Sequence, residues 1–159
     1  DLGTQILDTR KPTPGWRLLE KYAVACGGGV NHRAGLYDQV LIKDNHLAHW
    51  RRATGRSIAD AVAEARRAAP GLLVEVEADT VPQVERLLEA RPDWILLDNM
   101  SFLEMEQAVA LCKGRCLTEA SGGITLDTLR GVAETGVDAI SVGALTHSVR
   151  AVDIGLDFS

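Results

Sequence analysis

WILLDNMSFLEMEQAVALCKGRCLTEASGGI, residues 94–124, is the stretch on which the fold turns. It opens on an apolar run at 94–97, passes through a helical pattern at 102–112 that begins directly after Ser101, and returns to a second short apolar run at 116–120. Ser101 offers a side-chain oxygen to the first helical turn, so the stretch reads as strand, capped helix, strand. Two strands joined through a helix run parallel, with a right-handed crossover.

The same unit repeats in both directions. Candidate strands lie at 6–9, 40–43 and 72–77 upstream and at 139–142 downstream, and helical patterns at 15–25, 58–69, 81–90 and 126–135. Three of these helices follow Ser57, Thr80 and Thr125, and the first follows Pro14, which is favoured in an opening turn. The last three strands start at Trp94, Cys116 and Ala139, at intervals of 22 and 23 residues. An α/β fold follows, a six-stranded parallel β/α barrel in one domain over residues 1–159, resembling the eight-stranded barrel but incomplete. An open dinucleotide-binding sheet would carry G-x-G-x-x-G straight after its first strand, where Arg10-Lys11-Pro12 stands instead. Because Asp1 is not an initiator Met, the chain is expected to be a fragment that lacks a preceding domain.

Apolar residues make up 46% and charged residues 25%, the balance of a globular domain rather than of a disordered chain. No apolar run approaches the roughly 20 residues of a membrane span, and no basic-then-apolar leader opens the chain, so a cytoplasmic protein without a membrane partner is expected. Three cysteines are too few for a disulfide framework; no second pair completes a zinc set with Cys112 and Cys116, which read as small hydrophobes. A net charge of −5 argues against nucleic acid as a partner. Residues 1–51 nevertheless carry +2 against −7 for the remainder, a basic locale suited to a small anion.

In β/α barrels the site lies at the carboxyl ends of the strands. Those ends hold Thr9, Arg10 and Lys11; Lys43, Asp44 and Asn45; Glu75 and Glu77; Asp98 and Asn99; Glu119, Ser121, Gly122 and Gly123; and Gly143. Ser121-Gly122-Gly123 ahead of a helix, with Val142-Gly143-Ala144 beside it, suits a phosphate held on backbone N–H groups, although two ordinary turns have the same composition. Glu77 and Asp98 end adjacent strands; beside a phosphate they suit Mg2+, and an acid–base pair is the competing role. Arg10, Lys11, His32, Arg33 and Lys43 outnumber the acids near them, so an anionic ligand is expected to offset their burial. His46 and His49 have no third ligand nearby and read as polar, hydrogen-bonding surface.

Taken in order, D-T-R-K-P-T-P-G (8–15), G-G-G-V-N-H-R (27–33), L-I-K-D-N-H (41–46), V-E-V-E (74–77), I-L-L-D-N-M (95–100), E-A-S-G-G-I (119–124) and V-G-A-L-T-H-S (142–148) resemble the quinolinate phosphoribosyltransferases. The resemblance covers that family's barrel domain only. It implies an enzyme of NAD biosynthesis that joins quinolinate to phosphoribosyl pyrophosphate with loss of carbon dioxide. By the same resemblance Thr9, Arg10 and Lys11 face the anionic substrates, His32, Arg33 and Lys43 hold the quinolinate carboxylates, and Glu77 and Asp98 sit by the ribose and Mg2+. Ser121, Gly122, Gly123, Val142, Gly143 and Ala144 match the phosphate loops, and Lys11, Glu77 and Asp98 are the implied catalytic groups. A homodimer or higher homo-oligomer is implied, its site completed by the partner's amino-terminal α/β domain.

Two other readings compete. One is a barrel aldolase using Lys43 or Lys11 as Schiff-base nucleophile. The other is a molybdate-transport-associated relative of the same barrel without pyridine chemistry, against which the joint presence of Arg10, Lys11, His32, Arg33 and Lys43 argues.

Overall fold

The computed structural model describes residues 2–158; the two ends of the domain expected over 1–159, Asp1 and Ser159, lie outside them. The described residues form strands β1 (Gln5–Leu7), β2 (Val40–Ile42), β3 (Val74–Ala78), β4 (Trp94–Asp98), β5 (Leu117–Ser121) and β6 (Ala139–Ser141). The helices are α1 (Arg17–Cys26), α2 (Asp44–Thr54), α3 (Ile58–Ala68), α4 (Val81–Glu89), α5 (Phe102–Cys112), α6 (Leu126–Glu134) and α7 (Ala144–His147). Every pairing is parallel, in the order β1-β6-β5-β4-β3-β2. This is the sequential order of a barrel with the last strand returned to the first and a single seam left unpaired between β1 and β2.

The V-E-V-E alternation of β3 explains how the barrel is filled. Val74, Val76 and Ala78 face outward into the main apolar core, where they meet Ile95 and Leu97 of β4, Ala120 of β5, Ile140 of β6 and the inner faces of the helices. Glu75 and Glu77 therefore point the other way, into the lumen, and are buried there. Leu96, Glu119 and Ser141 share that lumen. The apolar free energy of folding thus resides between sheet and helices, leaving the barrel interior free to be polar.

Two of the expected side-chain caps form; Thr80 and Thr125 make no side-chain cap hydrogen bond, and α1 begins at Arg17 with Trp16 as its N-cap rather than directly after Pro14. Ser57 and Ser101 accept from the Asp60 and Glu104 backbone N–H groups, while the Thr80 and Thr125 N–H groups donate to Gln83 and Thr128 side chains. Two helices lie outside the sequence reading. Helix α2 buries none of its residues, so no apolar stripe announces it, and its N-cap is Lys43, whose N–H donates to His46 Nδ1 at 3.0 Å. Lys43 is thereby corrected from the last residue of a strand to a helix cap, and Asp44 and Asn45 from strand-end groups to the first helical turn. Helix α7 is a single turn. Glu75 is corrected from a strand end to a strand interior. Cys112 is buried and Cys116 half-buried against the same apolar core. No helix among the described residues is long and apolar enough to cross a membrane.

Candidate active site

The open seam is where the site begins. Beyond β1 the buried carboxylate of Asp8 accepts from Lys21 Nζ and from the His32 backbone N–H, both at 2.7 Å, and this anchors the segment that crosses from β1 toward β2. Leu7 and Val30 form an isolated parallel bridge at its start, and the Arg33 guanidinium ties its far end by donating to the Gln39 carbonyl at 3.2 Å. His32 and Arg33 are carried over the mouth as a result.

Arg10, Lys11, His32, Arg33 and Lys43 line one cavity of about 280 Å³ together with Thr9, Ser121 and Glu119, with Leu41 and Leu96 as an apolar flank. Among the described residues Arg10, Lys11 and Arg33 have no carboxylate within ion-pair distance, and Arg10 Nε is buried with no hydrogen-bond acceptor. Burial and then the nearby Arg10 guanidinium push the Arg33 pKa down, and they outweigh the Glu75, Asp38 and Glu119 carboxylates, which pull it up without reaching ion-pair distance. An anion with two acceptor groups would relieve both arginines at once.

Beneath them His32 Nε2 lies 3.1 Å from Glu119 and 3.5 Å from Glu75, and Gln39 Nε2 donates to Glu75 at 2.8 Å. One oxygen of each glutamate is buried without a partner. Burial disfavours charge on the ring, and the Glu119 and Glu75 carboxylates outweigh it and push the His32 pKa up. The Arg33 backbone N–H, however, donates to Nδ1 at 2.7 Å, a bond that a second ring proton would destroy. The carboxylates push the His32 pKa up to about 9 and burial pushes that of Glu75 up to about 7; on the geometry of the bond to Nδ1 we assign the additional proton of this cluster to Glu75.

On the other side of Lys43 lies a second acidic group. Lys43 Nζ is 2.6 Å from Glu77 Oε2, and Glu77, Asp79 and Asp98 bring one carboxylate oxygen each to within 4.8 Å of one another. Burial, then Glu77 and Asp79, push the Asp98 pKa up, with Lys43 and the Ser121 hydroxyl pulling against them. These carboxylates are hard oxygen donors, the ligand type that suits Mg2+. Asp79, one residue past β3, is absent from the sequence-derived set; its turn position carries no periodic signal. Lys43 is an ion-pair partner rather than an isolated amine, which removes the basis for a Schiff-base lysine at this position.

The glycines of the two loops lie next to each other because β5 pairs β6 through Glu119–Ala139 and Ala120–Ile140. Gly122 and Gly123 both have positive φ, +102° and +60°, ahead of α6. Val142 N–H donates to the Leu7 carbonyl, and a Cβ at Gly143 would meet His147 Nε2 at 2.8 Å, with Thr9 Oγ1 at 3.8 Å. Val142 and Gly143, with Ala144 following, are thereby seated against the end of β1 at Leu7 and against Thr9 beyond it. Of the residues expected from the sequence, Thr9, Arg10, Lys11, His32, Arg33, Lys43 and Ser121 line one cavity, Glu77 and Asp98 lie together beside it, and the two glycine loops follow adjacent strands; Glu119, Glu75 and Asn99, noted before only as strand-end groups, have specific contacts of their own.

The model of the quinolinate phosphoribosyl transferase C-terminal domain matches residues 1–157. The chain belongs to that family. It is 51% identical over 156 residues to a nicotinate-nucleotide pyrophosphorylase (carboxylating) of Mycobacterium leprae, a match that covers 96% of the chain and 53% of that relative. The probable enzyme of the same name from Bacillus subtilis is 49% identical over 96% of the chain and 52% of its own length. The structure of the nicotinate-nucleotide pyrophosphorylase from Francisella tularensis superposes with a TM-score of 0.87 at 42% identity, covering 95% of this chain and 52% of that one. The chain spans about half the length of the curated relatives it matches.

Proposed function

We propose that the full-length protein transfers the phosphoribosyl group of phosphoribosyl pyrophosphate to quinolinate with decarboxylation, giving nicotinate mononucleotide, pyrophosphate and carbon dioxide. The observation that carries this reading is the pair of arginines, Arg10 and Arg33, facing one cavity without a carboxylate partner and adjoining an acidic group and two glycine loops. Quinolinate is a dicarboxylate. Clamped by Arg10, Arg33 and Lys43, with Thr9 and His32 beside them, it presents its ring nitrogen in one direction.

The ring nitrogen attacks the anomeric carbon as pyrophosphate leaves, and positive charge grows on the sugar in that step. Glu77 and Asp98 face that charge, and Lys11 faces the departing phosphates. Gly122 and Gly123, with Gly143 and Ala144, hold the ribose phosphate through backbone N–H groups, while Ser121 and Val142, whose N–H is bonded to the Leu7 carbonyl, carry the two loops. Glu77, Asp79 and Asp98 are the residues that would hold Mg2+, which when bound neutralises pyrophosphate. Once the nitrogen is cationic, the adjacent carboxylate departs as carbon dioxide and leaves its electron pair on the ring carbon, which takes up a proton from water to give nicotinate mononucleotide.

A cytoplasmic homodimer or higher homo-oligomer, its sites completed by the amino-terminal domain of the partner subunit, accompanies this proposal. Release of labelled carbon dioxide from quinolinate, dependent on phosphoribosyl pyrophosphate and measured on the full-length protein, tests it. Binding of phosphoribosyl pyrophosphate without any such release would refute it.

A further inference from the structure

Asn99 and Arg91 are the two non-glycine residues with positive φ among the described residues. Asn99, at +56°, follows β4 directly, in a region that asparagine enters at modest cost because its side chain can bond locally. Two elements meet at this residue. Its backbone N–H donates to the Ser121 carbonyl at 2.9 Å, which extends the β4–β5 ladder one step past the Asp98–Ser121 pair. Its side-chain amide turns back and donates to Asp98 Oδ2, also at 2.9 Å.

The other flank of Asn99 touches the glycine loop. A Cβ built on Gly122 would fall 2.6 Å from Asn99 Cγ and 2.9 Å from its backbone nitrogen. Gly122 is therefore glycine on two counts, its φ of +102° and the Asn99 amide packed over its Cα. One side chain both aims a carboxylate of the acidic group and sets the height of the first glycine of the loop. Strain of this kind persists only where its surroundings over-determine it, and here two hydrogen bonds and a close packing contact do so.

We infer that Asn99 is a positioning residue for the phosphoribosyl donor, fixing the Asp98 carboxylate and the Gly122 turn at one separation so that sugar and phosphate are gripped together. The inference rests on the phosphoribosyl-transfer reading above. It assigns the Asn99 side chain to the donor, because the groups that side chain touches, Asp98 and Gly122, lie outside the lining of the cavity of Arg10 and Arg33.

Calorimetric titration of the full-length protein with phosphoribosyl pyrophosphate and, separately, with quinolinate tests it. Asn99→Gly keeps access to the left-handed backbone and removes only the amide. Donor affinity is expected to fall about tenfold or more, the loss of one hydrogen bond to a charged group, while quinolinate affinity changes less than about twofold. In turnover, KM for the donor rises with KM for quinolinate unmoved. Asn99→Asp, which turns the donor facing Asp98 into an acceptor, is expected to lose more than Asn99→Gly. Gly122→Ala is expected to weaken donor binding less in the Asn99→Gly background than alone, since the packed amide is gone. Equal losses for both ligands, or none for the donor, would overturn the inference while wild-type binding keeps the functional reading intact. A wild-type protein that binds no donor would remove that reading itself.

Discussion

Arg33 and Asp98 stand on opposite sides of Lys43, and the division of labour between them can be measured one substitution at a time. Arg33→Ala removes a guanidinium from the cavity it shares with Arg10, so quinolinate should bind more weakly by about 1.5–3 kcal/mol, the range for a hydrogen bond to a charged group. Phosphoribosyl pyrophosphate should be affected less; equal losses in calorimetric titration would contradict the assignment. Asp98→Asn keeps the shape and deletes the charge next to Glu77 and Asp79. Turnover should drop by about 10²-fold or more, as when one preorganised electrostatic group is lost from a site, with quinolinate affinity intact. Unchanged turnover would take Asp98 out of the reaction.

Elements of this fold differ in how plainly the chain announces them. Helix α5 is written twice, in its apolar positions and in Ser101, whose hydroxyl accepts from Glu104 N–H while the Glu104 carboxylate accepts from Ser101 N–H. Ser101→Ala should therefore cost about 1 kcal/mol in chemical denaturation, and a change under a few tenths would mean that packing alone holds the helix start. Helix α2 carries neither signal, since it fully buries no residue, sets only Leu47 against the apolar core and is capped by a lysine. The segment that crosses the seam was equally illegible: His32 is placed by Asp8, twenty-four positions earlier, and Gln39 by Glu75, thirty-six positions later. Local periodicity cannot report bonds of that range. The strand-end glycines, arginines and carboxylates were legible because the barrel rule converts order along the chain into position on a rim. Asp79 and the left-handed turn at Asn99 were not, because each depends on backbone geometry that alternation does not encode.

At the scale of the whole molecule, stability and chemistry occupy different layers. The apolar layer lies outside the strands, and the lumen carries Glu75, Glu77 and Glu119, whose burial stabilises nothing by itself. The cost of that arrangement should show as a dependence of folding on pH. Glu75 has its pKa raised from 4.5 to about 7 by burial, so the folded protein retains a proton that the unfolded chain has already released. Wild-type stability should then decline as pH climbs from about 4.5 through about 7 and level off above it, whereas at lower pH both states are protonated and the penalty vanishes. Glu75→Gln has no proton to lose and still offers an oxygen to the Gln39 amide. Its stability relative to wild type should increase across that interval by on the order of 2 kcal/mol, read from urea denaturation at about pH 5 and about pH 8. A difference that is the same at both pH values would place the extra proton on His32, and the bond from Arg33 N–H to Nδ1 would then have to break in the neutral range.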